Sequence, residues 1–231
     1  MTRLLLPLAL ALAAAPVPAI AADQVRNFGV SGFDRVRIDG DYMVVLTVGA
    51  PPFARAKGTM RALDPVDIVV EGRTLVVRTK SSASWGGYPG ESAGPVEVSI
   101  GTHDLSAAFV NGAGSLSINK VRGLKFEASA QGAGAIAIDR VEVDQFQLSL
   151  AGAASARLAG TAAKLTATVR GSSALEGESL LVKDAVIGAQ GPAIVKLTAT
   201  GTAKVDALGV AAVTLTGKPS CVVTTKGSAS V

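Results

Sequence analysis

Residues 111–115 read NGAGS, and related sequences return at residues 131–135 (QGAGA) and 151–155 (AGAAS). Weaker copies follow, and the leading glycines of all the copies stand at Gly112, Gly132, Gly152, Gly171, Gly191 and Gly209. Their spacings are 20, 20, 19, 20 and 18 residues. A nearly constant period of this size is typical of a stacked repeat. This stretch of the chain therefore decides the fold.

Apolar side chains occupy every second position on both sides of these glycines. Four residues after the glycine stand Leu116, Ile136, Ala156, Leu175, Val195 and Val213. Four residues before it stand Ala108, Ala128, Leu148, Ala167, Ile187 and Val205. A period of two indicates strands with one buried face. Because the strands recur in register, we predict an all-β protein, a parallel β-helix or solenoid of about six rungs stacked about 4.8 Å apart.

The region before the repeats has the pattern of β-hairpins. Asp39-Gly40 between alternating segments predicts one two-residue turn, and Gly72 between two short alternating runs predicts a second hairpin. Residues 42–48 carry apolar side chains on both faces, which is typical of a strand covered on both sides. We predict a hairpin region over residues 23–104 that forms one continuous domain with the repetitive β-helix of residues 105–231.

Residues 1–22 have the pattern of a secretory signal peptide. Arg3 precedes an apolar core at residues 4–15, and the small residues 19–22 suit cleavage. The alternative is an uncleaved membrane anchor, which three prolines within the segment disfavour. No later stretch is apolar enough to span a membrane as a helix. We therefore expect a periplasmic or extracellular protein with no integral membrane segment after signal cleavage.

The charge composition argues against a nucleic-acid partner, and the cysteine content rules out a disulfide bond within the chain. The chain has 22 basic and 18 acidic residues and no run of Lys or Arg, so no nucleic-acid partner is expected. Cys221 is the single cysteine and can form no disulfide within the chain. It is interpreted as a small buried apolar residue, with intermolecular pairing as the alternative.

Candidate catalytic and metal-binding residues are sparse in the sequence. His103 is the single histidine and is interpreted as part of a polar turn. The Gly-Ala-Gly motifs are interpreted as structural turns, because phosphate-binding loops open a helix whereas strands follow here. The acidic residues of the repeats do not recur in one column. The sequence predicts no catalytic residue, no metal site and no cofactor.

Trp85 and Tyr88 lie in a long segment of turn-forming residues, 81–94. Aromatic side chains on loops are favoured contacts for sugars and proteins. The alternative is that this loop folds back and covers an open end of the solenoid. Trp85 and Tyr88 are the candidate ligand-binding residues that the sequence offers.

Residues 28–36 read FGVSGFDRV. Together with the serial Gly-Ala-Gly turns, they resemble the GIN domain, the head domain of autotransporter adhesins, over residues 25–219. The resemblance implies an exported all-β protein with a β-helical body, and it brings no catalytic residue.

We therefore expect an exported, non-catalytic binding or adhesion module whose partner is a cell-envelope glycan, another extracellular polymer or a protein. A polysaccharide-active β-helical enzyme and a purely structural envelope protein are the alternatives. An enzyme would need at least two carboxylates or bases that converge in one groove.

Overall fold

The computed structural model describes residues 23–80 and 94–231. These residues form one sheet of sixteen strands and a single helical turn. The elements before the repeats are β1 (Gln24–Phe28), β2 (Arg35–Asp39), β3 (Met43–Val48), β4 (Phe53–Gly58), α1 (Met60–Leu63), β5 (Val66–Glu71), β6 (Thr74–Thr79) and β7 (Glu97–Thr102). Those of the repeats are β8 (Ala107–Gly112), β9 (Ser115–Ile118), β10 (Val121–Gly132), β11 (Ala135–Gly152), β12 (Ser155–Gly171), β13 (Ala174–Gln190), β14 (Ile194–Gly209), β15 (Ala212–Gly217) and β16 (Ser220–Gly227).

The repeats form a parallel β-solenoid of about six turns, which confirms the predicted fold class. Each long strand pairs in parallel with the corresponding strand of the next turn, and equivalent repeat positions are partners. Leu148, for example, pairs with Ala128 on one side and Ala167 on the other, and all three are buried. The inward columns predicted from the period of two are therefore the core.

The corner glycines stack directly on one another. A Cβ at Gly132 would lie 2.8 Å from the carbonyl oxygen of Gly112, and one at Gly152 would lie 2.7 Å from that of Gly132. The φ angles of Gly132 and Gly152 are +82° and +91°, a region that favours glycine. Conformation and close approach thus both require glycine at the corner. The full column is Gly40, Gly112, Gly132, Gly152, Gly171, Gly191, Gly209 and Gly227.

The hairpin predicted at Asp39-Gly40 is wrong. β2 pairs in parallel with β8 and β6, whereas β3 pairs in parallel with β9 and β7, so β2 and β3 do not pair with each other. The carbonyl of Gly40 accepts the amide of Gly114 at 2.8 Å, which makes Gly40 a corner of the same glycine column. An Asp-Gly sequence suits a solenoid corner as well as a hairpin, because both need a positive φ.

Antiparallel strands close the first end of the stack. β5 and β6 form the predicted second hairpin around Gly72 and extend one wall, while β4 pairs antiparallel with β7 and β1 on the other wall. Between β4 and β5 lies α1, which Thr59 caps by accepting the Ala62 amide at 3.2 Å. Ala62 and Leu63 are buried, so this turn adds apolar side chains to the core at that end.

Two burial predictions are wrong. Val45 is 57% exposed, so β3 is covered on one face only, although both faces are apolar. Cys221 is exposed. It lies in register with the buried Ala203, but among the described residues no further strand pairs with β16 beyond it. An inward position is buried only when another turn covers it.

The corner column predicts a sharp difference between two glycines. Gly152→Ala should lower the free energy of unfolding by at least about 2 kcal/mol, since it places a Cβ at positive φ against a backbone carbonyl. Gly188→Ala is the matched control, because the nearest atom to its Cβ is the Ala167 carbonyl oxygen at 4.0 Å. It should leave stability unchanged or slightly raised. Denaturant unfolding measures both, and equal effects would contradict the role of the corner.

Candidate binding surface

Each turn bends a second time, away from the glycine corner, where two consecutive side chains point outward. In β11 the alternation of burial is interrupted at Asp144 and Gln145, and in β13 the buried positions resume only after Lys183 and Asp184. A strand that keeps one face on the core must turn there, because alternation puts every second side chain inside. These outward pairs stack from turn to turn along the solenoid.

Two depressions flank this second bend. The first has a volume of about 350 Å³ and includes Glu142, Asp144, Thr161, Leu181, Lys183 and Thr200 in its lining. The second has a volume of about 440 Å³ and includes Lys164, Asp184, Thr202, Lys204, Ser220 and Val222. We call these twelve residues the bend surface. They come from five successive turns, so the surface runs along the solenoid axis.

Asp184 is a fixed negative charge on the bend surface. Its Oδ1 accepts the Thr202 hydroxyl at 2.6 Å and the Thr202 amide at 3.2 Å. The Thr202 hydroxyl bond is the main cause that lowers the pKa of Asp184, and nearby Lys183 and Lys164 lower that pKa further. The carboxylate is therefore held in its charged form.

The lysines of the bend surface are available to a ligand. Within residues 23–80 and 94–231, none of Lys164, Lys183 and Lys204 forms an ion pair. On the opposite wall, by contrast, Arg157 Nη2 lies 2.9 Å from Glu176 Oε2, and Lys196 Nζ lies 3.8 Å from Glu178 Oε1. Cations without an ion-pair partner can attract anionic groups of a ligand.

A second polar cluster lies at the first end of the stack. Asp34 accepts hydrogen bonds from Arg73 Nε at 2.9 Å and from the Ser106 hydroxyl at 2.8 Å. Partial burial raises the pKa of Asp34, but these bonds outweigh it, so the net pKa is lowered. His103 is exposed and lines a depression of about 270 Å³ beside Asp34, Arg73 and Asp104. Asp34 thus links its own loop to the turn between β5 and β6, through Arg73, and to the loop before β8, through Ser106.

The residues proposed from sequence lie elsewhere. Trp85 and Tyr88 fall within residues 81–93, outside the described residues, and remain a prediction. Their described neighbours Lys80 and Gly94 follow β6 and precede β7, at the first end of the stack. Sequence reasoning missed the bend surface, since its members differ in type from turn to turn. In the described part of the chain, no three His, Cys, Asp or Glu side chains group as a metal site would require.

The stacked parallel strands and the glycine corners define a β-solenoid protein. The chain belongs to the family described as "Putative auto-transporter adhesin, head GIN domain", whose model matches residues 32–219. None of the curated proteins compared with the chain matches it.

Several solved structures share the fold. One described as a putative adhesin from Bacteroides fragilis has a TM-score of 0.83 at 17% identity, covering 90% of this chain and 95% of the other. One described as a putative lipid binding protein from Parabacteroides distasonis has a TM-score of 0.68 at 18% identity, with coverage of 90% and 95%. A putative adhesin from Parabacteroides merdae has a TM-score of 0.68 at 13% identity, with coverage of 90% and 94%.

Removal of one hydroxyl should raise the pKa of Asp184. In Thr202→Val the hydroxyl donor to Oδ1 is lost, so the pKa should move up toward that of an ordinary aspartate. Because the folded pKa is lowered, Asp184 stabilises the fold above its unfolded pKa, and this contribution disappears as pH falls through the folded pKa. Carboxyl-detected NMR titration measures the shift. Thr200→Val is the control, since its hydroxyl donates to the Val182 carbonyl; an equal shift there would contradict the assignment.

Proposed function

We propose that this protein is an exported, non-catalytic binding module of the adhesion type, which contacts a cell-envelope or extracellular polymer or protein. Membership of the GIN domain family supports an adhesin-like role. Among the described residues, no helix is long and apolar enough to cross a membrane. The signal-peptide pattern of residues 1–22 supports export to the periplasm or cell surface.

The observation that carries this proposal is the in-register outer face of the solenoid. Within the stack, β11, β12 and β13 each pair on both sides, so their backbones offer no free edge to a ligand. Recognition must therefore use outward side chains. These stand in columns one strand spacing apart, about 4.8 Å. One such column is Lys125, Gln145, Lys164, Asp184, Thr202 and Ser220.

A regular column of polar side chains favours an extended polymer over a small molecule. A polymer that lies along the axis meets hydrogen-bonding groups from several turns, whereas a small ligand is normally enclosed in a concave pocket. The unpaired lysines at positions 164, 183 and 204 favour a polymer that carries carboxylate or phosphate groups. Asp184 and Glu142 interrupt the positive charge and limit binding to polymers that also offer hydroxyl donors.

The alternative is a polysaccharide-active enzyme, and one observation favours it. Glu142 and Asp144 line the same depression, and glycoside hydrolysis uses two carboxylates. Incubation with envelope polysaccharides distinguishes the two functions, since new reducing ends would establish an enzyme.

Neutralising the bend surface should weaken binding to anionic envelope polymers. The triple variant Lys164→Ser, Lys183→Ser, Lys204→Ser should lose roughly tenfold in affinity, as three exposed charge contacts contribute roughly 0.5 kcal/mol each. Binding to immobilised envelope polysaccharide at low and high salt measures this loss. The control is Arg157→Ser with Lys196→Ser on the opposite wall, which should bind as the parent does. Equal losses in both variants would contradict the location of the site.

The aromatic loop gives a separate test. The double variant Trp85→Ala, Tyr88→Ala should weaken binding to a glycan array or to envelope fractions, since aromatic side chains are favoured contact residues. An unchanged unfolding midpoint would show that the loss concerns the ligand rather than the fold. Binding equal to that of the parent would refute the assignment of Trp85 and Tyr88.

A further inference from the structure

The two ends of the solenoid differ in how they are covered. At the first end, Ala62 and Leu63 of α1 are buried against the core, and antiparallel strands extend both walls. At the other end, β16 pairs with β14, and within the described residues it has no second neighbour. All eight residues of β16 are exposed.

The inward columns of the core continue into β16, but no further strand among the described residues covers them there. Val223 lies in register with the buried Val205, yet it is 44% exposed. Cys221 and Thr225 continue the columns of Ala203 and Ala207 in the same way. Side chains that the register directs toward the core therefore reach solvent at this end, and burying them against another apolar surface would be favourable.

The free edge of β16 also has the composition of a pairing strand. Residues 220–225 read SCVVTT, with no charge, no proline and no glycine. Exposed edges present unpaired N–H and C=O groups, and proteins usually block them with charges, prolines or bulges. Segments of this length with β-branched residues and no charge readily pair with another chain. The only charged residue of the strand, Lys226, stands near its end.

We propose that β16 pairs antiparallel with β16 of a second copy of this chain, about a two-fold axis at Val223. In an antiparallel pair, directly opposite residues share a face. This centre places Val223 opposite Val223 of the partner subunit and Cys221 opposite Thr225 of the partner subunit. All of these positions face the core, so the two open core ends cover each other.

Side-chain pairing favours this register over its neighbours. A centre at Val222 would place Lys226 opposite Lys218 of the partner subunit, and like charges opposite each other are destabilising. A centre at Thr224 would place Val222 opposite Lys226 of the partner subunit. With Val223 at the centre, Lys226 lies opposite Ser220 of the partner subunit, and the two Lys226 residues are about 20 Å apart along the strands at 3.4 Å per residue.

The symmetry has a functional consequence that rests on the proposed function. A two-fold axis perpendicular to the paired strands leaves the outer faces of both copies on the same side of one continuous sheet. A polymer or surface would then meet two bend surfaces at once, and the second contact would be intramolecular, which raises the apparent affinity without new contacts.

The oligomeric state of the full chain tests the dimer without any ligand. Sedimentation velocity across a wide range of protein concentration should show a monomer–dimer equilibrium for the parent. Val223→Lys should be monomeric, because it places two charges at the two-fold axis. The control is Val25→Lys, which alters an exposed valine of β1 at the other end, where β4 is the one partner of β1 among the described strands, and it should dimerise as the parent does.

Disulfide formation tests the register. In Thr225→Cys, residues 221 and 225 of one chain are about 13 Å apart, too far for a bond within the chain. In the proposed dimer, Cys221 faces the new cysteine of the partner subunit at a Cα distance of about 4.5 to 5.5 Å, within disulfide range. Mild oxidation should therefore give a covalent dimer on a non-reducing gel, whereas Thr225→Cys with Cys221→Ser should not.

Two results would overturn the proposal. A parent chain that remains monomeric at every concentration, with no crosslink in Thr225→Cys, would show that β16 does not pair with itself. Crosslinking of the parent through Cys221 alone would show a different register. Neither result depends on polymer binding, so failure of the dimer is distinguishable from failure of the proposed function.

Discussion

The structure depends on the stacking of its corner glycines, and a backbone hydrogen bond joins several of these corners to the next turn. The amide of Ala153 donates to the carbonyl of Gly132 at 2.7 Å, and the amide of Ala133 donates to that of Gly112 at 2.9 Å. At Gly132, Gly152 and Gly171, a Cβ would lie within 2.8 Å of the carbonyl oxygen of the preceding corner glycine, so only glycine lets these turns approach. Because each corner rests on the one before, the path of one turn fixes the path of the next. The inward and outward columns follow from this registration.

This constraint explains which parts of the fold could be predicted from sequence. Each corner requires a glycine, and each strand requires alternating inward and outward side chains. The sequence of residues 105–217 therefore shows both a recurring glycine and a period of two. Gly40 obeys the same demand, but residues 53–102 lie between its turn and that of Gly112 and hide the period. Locally, Asp39-Gly40 suits a hairpin equally well. Only the partners of β2 and β3, which are distant in sequence, distinguish a corner from a hairpin.

The bend surface could not be predicted in the same way. Its positions are fixed by register, but register does not restrict their chemistry, because outward side chains need only tolerate solvent. Gln145, Lys164, Asp184 and Thr202 share one column and have no common property that a repeat search would detect. Cys221 shows the opposite case, in which the register fixes the direction of a side chain but does not fix its burial. The sequence predicts a buried apolar residue there, whereas the actual exposure of Cys221 depends on whether another turn lies above it.

The fold constrains corner and inward residues but not outward residues, and this difference affects how the fold tolerates sequence change. Solenoid turns contact chiefly their neighbours, and here the demands on each turn concentrate in the corner glycine and a few small or β-branched inward residues. The outer columns are free to change without disturbing the stack. This is consistent with a TM-score of 0.83 at only 17% identity. A scaffold of this kind can therefore alter its outer charges turn by turn while the stacking of its corner glycines stays the same.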